Sequence, residues 1–167
     1  MKALHETIDY HASALDVARF YASRKYALER ATKLGVRDTS VDVEGDPNAA
    51  FTTTIRANVP RERVDHHKFR RFLPERLQVM IVHKWDAPDG DSRTGRLHAT
   101  LASVPVDLSA SFTLMGEGEH SRMSIDAQLS VKIPLVGSAV EKAAAERAGD
   151  VFRTEESFAN DILQREP

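Results

Sequence analysis

Cysteine is missing from all 167 residues. That excludes disulfides, thiolate zinc sites, cysteine-held iron–sulfur clusters and a thiol nucleophile. An excess of one charge is missing too. Lys and Arg number 23 against 25 Asp and Glu, for a net charge of −2 and a pI near 6.4, which argues against a dedicated nucleic-acid binder. Long hydrophobic runs are also lacking. The longest aliphatic stretch, Val79-Met80-Ile81-Val82, is far too short to cross a bilayer. Met1-Lys2-Ala3-Leu4-His5-Glu6 has no apolar core of a secretory signal, so the expected setting is the cytoplasm. What is present is globular in character, with 41% hydrophobic and 29% charged residues. A chain near 150 residues buries about 70% of its unfolded surface, enough for a core without cross-links. No linker, low-complexity stretch or repeat interrupts it, so residues 1–167 are read as one domain.

Hydrophobic periodicity divides the chain into three parts. Residues 2–10 read as a strand with Leu4, Ile8 and Tyr10 on one face. Ser13-Ala14-Leu15-Asp16 matches a capping box, followed by a short amphipathic helix carrying Leu15, Val17, Phe20 and Tyr21. A second helix is predicted over 24–33, stopping at Gly35. From about 36 to 133 the period becomes two. Six strands are separated by turns such as Gly45-Asp46-Pro47-Asn48, Pro88-Asp89-Gly90-Asp91 and Gly116-Glu117-Gly118. One apolar face per strand implies an antiparallel sheet that is wet on its other side. After Pro134, Ser138-Ala139-Val140-Glu141 matches a second capping box. Val140, Ala144, Ala148, Val151, Phe158 and Ile162 then keep one face of a long helix. About thirty helical residues span about 45 Å, and about thirteen strand residues about 43 Å. The helix is therefore expected to lie along the apolar face of the sheet in an α+β fold.

This element order resembles that of the START-like superfamily, also called the polyketide cyclase/dehydratase and lipid-transport (SRPBCC) superfamily or the Bet v 1-like helix-grip fold. Ile8-Asp9-Tyr10-His11-Ala12-Ser13-Ala14-Leu15-Asp16-Val17 is similar to the first strand and helix of that superfamily. Val131-Lys132-Ile133-Pro134-Leu135-Val136-Gly137-Ser138-Ala139-Val140-Glu141 resembles a bacterial subgroup called domain of unknown function 2505. The resemblance covers essentially the whole chain. It implies a curved seven-stranded sheet gripping the last helix around a cavity for an apolar or aromatic ligand. It supplies no family-wide catalytic residue.

Ala143-Ala144-Ala145 and Ala148-Gly149 place small residues in mid-helix. They either admit a close approach of the sheet or leave unfilled volume. In the second case the walls would include Tyr10, Phe51, Ile55, Ile81, Trp85, Leu97, Phe112, Ile125, Ala144 and Ala148 as ligand-binding candidates, with Val79, Leu101, Leu114 and Leu129 nearby. Tyr10 and Trp85 fit core or rim packing equally well. Alternation turns Glu6 inward with Leu4, Ile8 and Tyr10, and His83 inward with Ile81 and Trp85. Glu6 is either a strand-end carboxylate reaching a partner or water, or a ligand acceptor or general base. His83 is either a satisfied core histidine or the second member of an acid/base pair.

Seven histidines do not make a metal site here. His66 and His67 are adjacent, His5 and His98 fall on outer faces, and no His-Glu-x-x-His spacing occurs. Phosphate-loop, nucleophile-elbow and EF-hand patterns are missing as well. Residues 61–71 concentrate Arg61, Arg63, Lys68, Arg70 and Arg71 against Glu62 and Asp65, with Val64, Phe69, Phe72 and Leu73 interleaved. That segment would stand at the cavity mouth, either as a solvated connection or as a docking site for an anionic partner.

The expectation is therefore non-catalytic binding or transport of a small hydrophobic or amphipathic ligand by a monomer or weak dimer. No cofactor, metal or specific nucleic acid is expected. A cyclase- or dehydratase-type enzyme using Glu6 and His83, and an interaction module docking through 61–73, are the alternatives.

Overall fold

The computed structural model describes residues 1–63, 67–71 and 73–165. The chain runs β1 (Lys2–Tyr10), α1 (Ala14–Tyr21), α2 (Arg24–Lys33), β2 (Arg37–Gly45), β3 (Phe51–Pro60), a 3₁₀ turn (Arg61–Arg63), α3 (His67–Arg70), β4 (Arg76–Trp85), β5 (Ser92–Leu101), β6 (Val104–Glu117), β7 (His120–Val131) and α4 (Gly137–Arg165). All seven strands form one antiparallel sheet in the order β1-β7-β6-β5-β4-β3-β2. Neighbours from β2 to β7 are consecutive in sequence, and β1 closes the order by pairing with β7. The sheet is the helix-grip architecture expected from the element order. None of the described helices is long and apolar enough to cross a membrane.

Local chemistry sets the helix starts. The Ser13 hydroxyl accepts from the Asp16 N–H at 3.2 Å, and Ser23 does the same for Tyr26 at 3.3 Å. Each satisfies an amide that an α-helix leaves orphaned at its N-terminus. The second capping box is not realised. Helix α4 begins at Gly137, and Glu141 turns away from its own helix end to accept from the Val131 N–H at 3.1 Å. It thereby ties α4 to the end of β7. Gly137 is required by the same junction, since a Cβ there would overlap the Val131 carbonyl oxygen.

The buried stripe of α4 also differs from the expected one. Val151 is 63% exposed, and the inward positions include Gly137, Glu141, Ala148, Phe158, Ala159 and Ile162. Phe152 packs against the core in place of Val151. The two are one residue apart, about 100° around the helix, so a single-position error in the stripe turns a core residue to solvent.

Candidate functional site

The backbone of α4 runs close to β1 and β7 and stands off from β3 to β6. Cross-strand register defines what faces it. One inward row runs Phe51, Trp85, Gly95, Phe112, Ile125 and Glu6 from β3 to β1. The next runs Thr53, His83, Leu97, Ala110, Ala127 and Leu4, and the third contains Ile55, Ile81, Ala99, Leu108 and Leu129.

Burial along these strands is interrupted in the middle. On β4, Trp85 and Leu77 are buried, whereas His83, Ile81 and Val79 between them are only half-buried. On β6, Leu114, Phe112 and Val104 are buried, and Ala110, Leu108 and Val106 are not fully so. The apolar core accordingly forms two clusters. One, built on Tyr10, Tyr21, Phe51, Trp85 and Phe112, gathers where α1 and the C-terminal half of α4 meet the sheet. The other joins Phe69, Leu73, Leu77, Val104 and Val131. Ile55, Ile81, Leu97, Ala99 and Leu108 belong to neither. On α4, half-buried Ala144 shares the inward stripe of Glu141 and Ala148. These inward side chains keep accessible surface, which a close-packed core would have covered.

Of the ten candidate wall residues, Ile55, Ile81, Leu97 and Ala144 lie in this belt. Tyr10, Phe51, Trp85, Phe112, Ile125 and Ala148 do not, because they are buried core. Tyr10 and Trp85, each 1% exposed, seal one end of the belt rather than line it. Trp85 stacks on Phe51 at 5.4 Å and on Tyr21 at 5.4 Å. The large aromatic residues meet at one pole because Gly95 leaves room for the Phe112 ring, which a Cβ would strike.

Phe69 and Leu73, the described apolar residues in and beside the basic segment, pack at the opposite end. Both are buried in the second cluster, and the Arg61 guanidinium donates to the Leu73 carbonyl at 3.3 Å. Arg70 is half-buried and Arg71 exposed. The side chains of Arg63 and Lys68, together with Val64, Asp65, His66 and Phe72, lie outside the described residues. Beside this segment, a surface cleft of about 600 Å³ sets Arg37, Arg61 and Arg76 against Asp38, Glu62 and Glu75, so its rim is balanced in charge. Two other clefts, against α2 and beside the Ser13 and Gly90 turns, also open on the outside of the molecule.

Glu6 and His83 are not brought together. Glu6 sits on β1 beside α4, its carboxylate 3.9 Å from where a Gly149 Cβ would be. His83 is on β4, four strand spacings away, or about 19 Å along the sheet. No hydrogen bond links them among the described residues. His83 instead meets the rings of Tyr21 at 5.6 Å, Trp85 at 5.2 Å and Phe112 at 5.0 Å. Burial, reinforced by the positive charge of Arg30, lowers its pKa to about 3. The imidazole is therefore neutral at physiological pH and a poor general base.

A polar chain that the sequence reading missed lies behind His83. The Tyr10 and Tyr21 hydroxyls are 2.7 Å apart. Tyr21 donates to Glu155 at 3.0 Å, and Arg30 pairs with the same Glu155 oxygen at 3.1 Å. Since the Tyr21 proton goes to Glu155, the Tyr10 hydroxyl is the donor to Tyr21. Burial pushes both phenols well above the usual tyrosine range, so both stay protonated. Arg30 also lies over the Phe20 and Tyr21 rings at 5.2 Å each. The signal for Glu155 was a carboxylate seven residues after Ala148 on the inward stripe of α4. Arg93 was missed in the same way. It shares the apolar face of β5 with Gly95 and Leu97, is 2% exposed, and donates to the Pro47, Ala49 and Asp86 carbonyls.

Comparison with known proteins agrees with the geometry. Solved structures of the same architecture include TTHA0849 from Thermus thermophilus, at 14% identity and a TM-score of 0.55 over 98% of this chain and 96% of that one. A START superfamily protein from Mycobacterium smegmatis aligns at 13% identity and a TM-score of 0.55, covering 96% and 98%. Norcoclaurine synthase from Thalictrum flavum, in complex with dopamine and hydroxybenzaldehyde, aligns at 14% and 0.52, covering 99% and 88%. No curated protein matches. Residues 5–163 match the family model described as protein of unknown function DUF2505, and the chain belongs to that family, on a START-like, Bet v 1-like helix-grip fold.

Proposed function

We propose that the protein binds a small hydrophobic or amphipathic molecule between α4 and strands β3–β6, without turning it over. One observation carries this reading: the apolar core is split into two clusters, with a belt of half-buried inward residues between them. In an ordinary core of this size those rows would be the most buried part of the molecule. Small inward residues, Ala99 on the sheet and Ala144 on the helix, fit the same reading. The fold accommodates ligands of this size, as the norcoclaurine synthase complex illustrates. Separation of Glu6 from His83, and the depressed basicity of His83, favour binding over acid/base catalysis.

The test is uptake by the purified protein. Native mass spectrometry after expression in bacteria is expected to show a bound small molecule or to accept an added apolar probe. Filling the belt with Ala144→Trp or Leu97→Trp is expected to abolish uptake while circular dichroism stays unchanged. A wild-type protein that takes up nothing overturns the reading.

A further inference from the structure

His83 is the one polar side chain that β4 turns into the half-buried belt. Its row neighbours across the sheet are Thr53, Leu97 and Ala110. The Thr53 hydroxyl is already committed to the Tyr21 carbonyl at 3.2 Å. Leu97 and Ala110 have no polar side-chain atom. Three aromatic rings surround the imidazole and none offers it a hydrogen-bonding atom within reach; among the described residues it makes no hydrogen bond at all. A half-buried imidazole with no protein partner is left to bond whatever occupies the space it faces. The space in front of His83 is therefore where its partner belongs.

We infer that His83 is the polar anchor of the interior site, and that the site takes a neutral, largely apolar molecule presenting one hydroxyl or carbonyl to that imidazole. This rests on the binding reading above and goes further by naming the ligand's chemistry. A neutral imidazole offers one donor and one acceptor, so it pairs with a hydroxyl or a carbonyl oxygen. Charge on the ligand is disfavoured, because the charged groups around the site already answer one another. Arg30, facing His83 from α2, is neutralised by Glu155 from α4, and the Tyr21 hydroxyl from α1 donates to that same carboxylate. Tyr10 from β1 spends its proton on Tyr21. A desolvated charge on the ligand would have to compete with that pairing, in which only the Arg30 Nε–H is left over. Apolar contacts come from Ile55, Ile81, Leu97 and Ala99, which define body rather than orientation.

The experiment is equilibrium dialysis of the wild-type protein against three probes of similar shape: 2-methylnaphthalene, 2-naphthol and 2-naphthoate at pH 7. The neutral hydroxyl compound is expected to bind about tenfold more tightly than the hydrocarbon, the worth of one hydrogen bond in a dry site. The carboxylate is expected to bind more weakly than 2-naphthol. His83→Leu is expected to keep hydrocarbon binding and to lose the preference for the hydroxyl. Should that variant misfold, the wild-type pH profile serves instead. The preference stays flat from pH 5 to 8 if the anchor is the buried imidazole, whereas an ordinary histidine would titrate there. Equal affinities for hydrocarbon and naphthol, a preference that survives in His83→Leu, a preference that changes across pH 5 to 8, or tightest binding by the carboxylate each overturn the anchor while leaving the binding reading intact. Failure of all three probes to bind overturns both.

Discussion

The phenol of Tyr10 donates to the phenol of Tyr21 across 2.7 Å in the buried pole of the core, joining β1 to α1. Tyr21 passes the connection on to Glu155 of α4. Three elements distant in sequence are thus held by one short run of hydrogen bonds, in which every proton has a direction.

Removing the middle member should cost more than removing the end. In Tyr21→Phe the Tyr10 hydroxyl keeps only the weak Met123 sulfur at 3.9 Å, and Glu155 loses a donor. The expected destabilisation in urea unfolding is about 1–3 kcal/mol, the range for leaving a buried polar group unmatched. Adding Tyr10→Phe removes the stranded hydroxyl, so the double variant should lose less than the sum of the two single losses. Additive losses would show that the two phenols act independently.

His83 should make stability fall as the solution is acidified. In the folded protein its pKa is lowered to about 3, against about 6.5 for an unfolded histidine. Between those values the unfolded chain binds a proton that the folded one does not, so unfolding free energy rises with pH across this window. The slope contributed by one proton is at most about 1.4 kcal/mol per pH unit. Above about pH 6.5 the contribution is complete, and below about pH 3 it is gone. Comparing wild type with His83→Leu from pH 7 to 4 isolates this group from the carboxylates. Parallel pH profiles would place the imidazole in contact with solvent.

Arg93 should tolerate no substitute, lysine included. Its guanidinium donates at once to the carbonyls of Pro47, Ala49 and Asp86, pinning the β2–β3 turn to the β4–β5 hairpin. It also lies over Phe51 at 5.5 Å and Trp85 at 5.7 Å. A lysine lacks the planar fork that reaches three acceptors together. Arg93→Lys and Arg93→Met are both expected to destabilise by about 3 kcal/mol, measured by chemical denaturation. The aromatic pole would loosen as well, seen as a shift in the emission of Trp85, the only tryptophan. A fully stable Arg93→Lys would mean that charge alone suffices at this position.

Much of the architecture was legible in the residues. Alternation along 36–133 located six strands and their inward faces, because a pleated strand has a side-chain period of two and nothing else in the chain mimics it. Ser13 and Gly35 marked a helix start and a helix stop, since capping is a local matter of a few backbone groups. The helix that follows Pro134 was equally plain, although its cap was misassigned. Ser138 and Glu141 carry the right spacing, yet the Val131 amide, held close by the β7–α4 junction, captures the Glu141 carboxylate first.

Depth was decided only by the tertiary structure. Period two says that Tyr10, Ile55, His83 and Trp85 all point inward, and says nothing about which of them meets packed neighbours and which meets open space. That depends on where α4 comes close to the sheet, over β1 and β7, and where it stands away. Partnership was decided there too. Glu6 and His83 look alike as inward polar residues, but sheet order puts them four strands apart. Glu155, Arg30 and Tyr21, spread over more than 130 positions, converge because two short helices fold back against a long one. The sequence by itself determined the sides of the strands and the order of the elements, which are local properties. The path of one helix across the sheet determined which of the inward residues are covered.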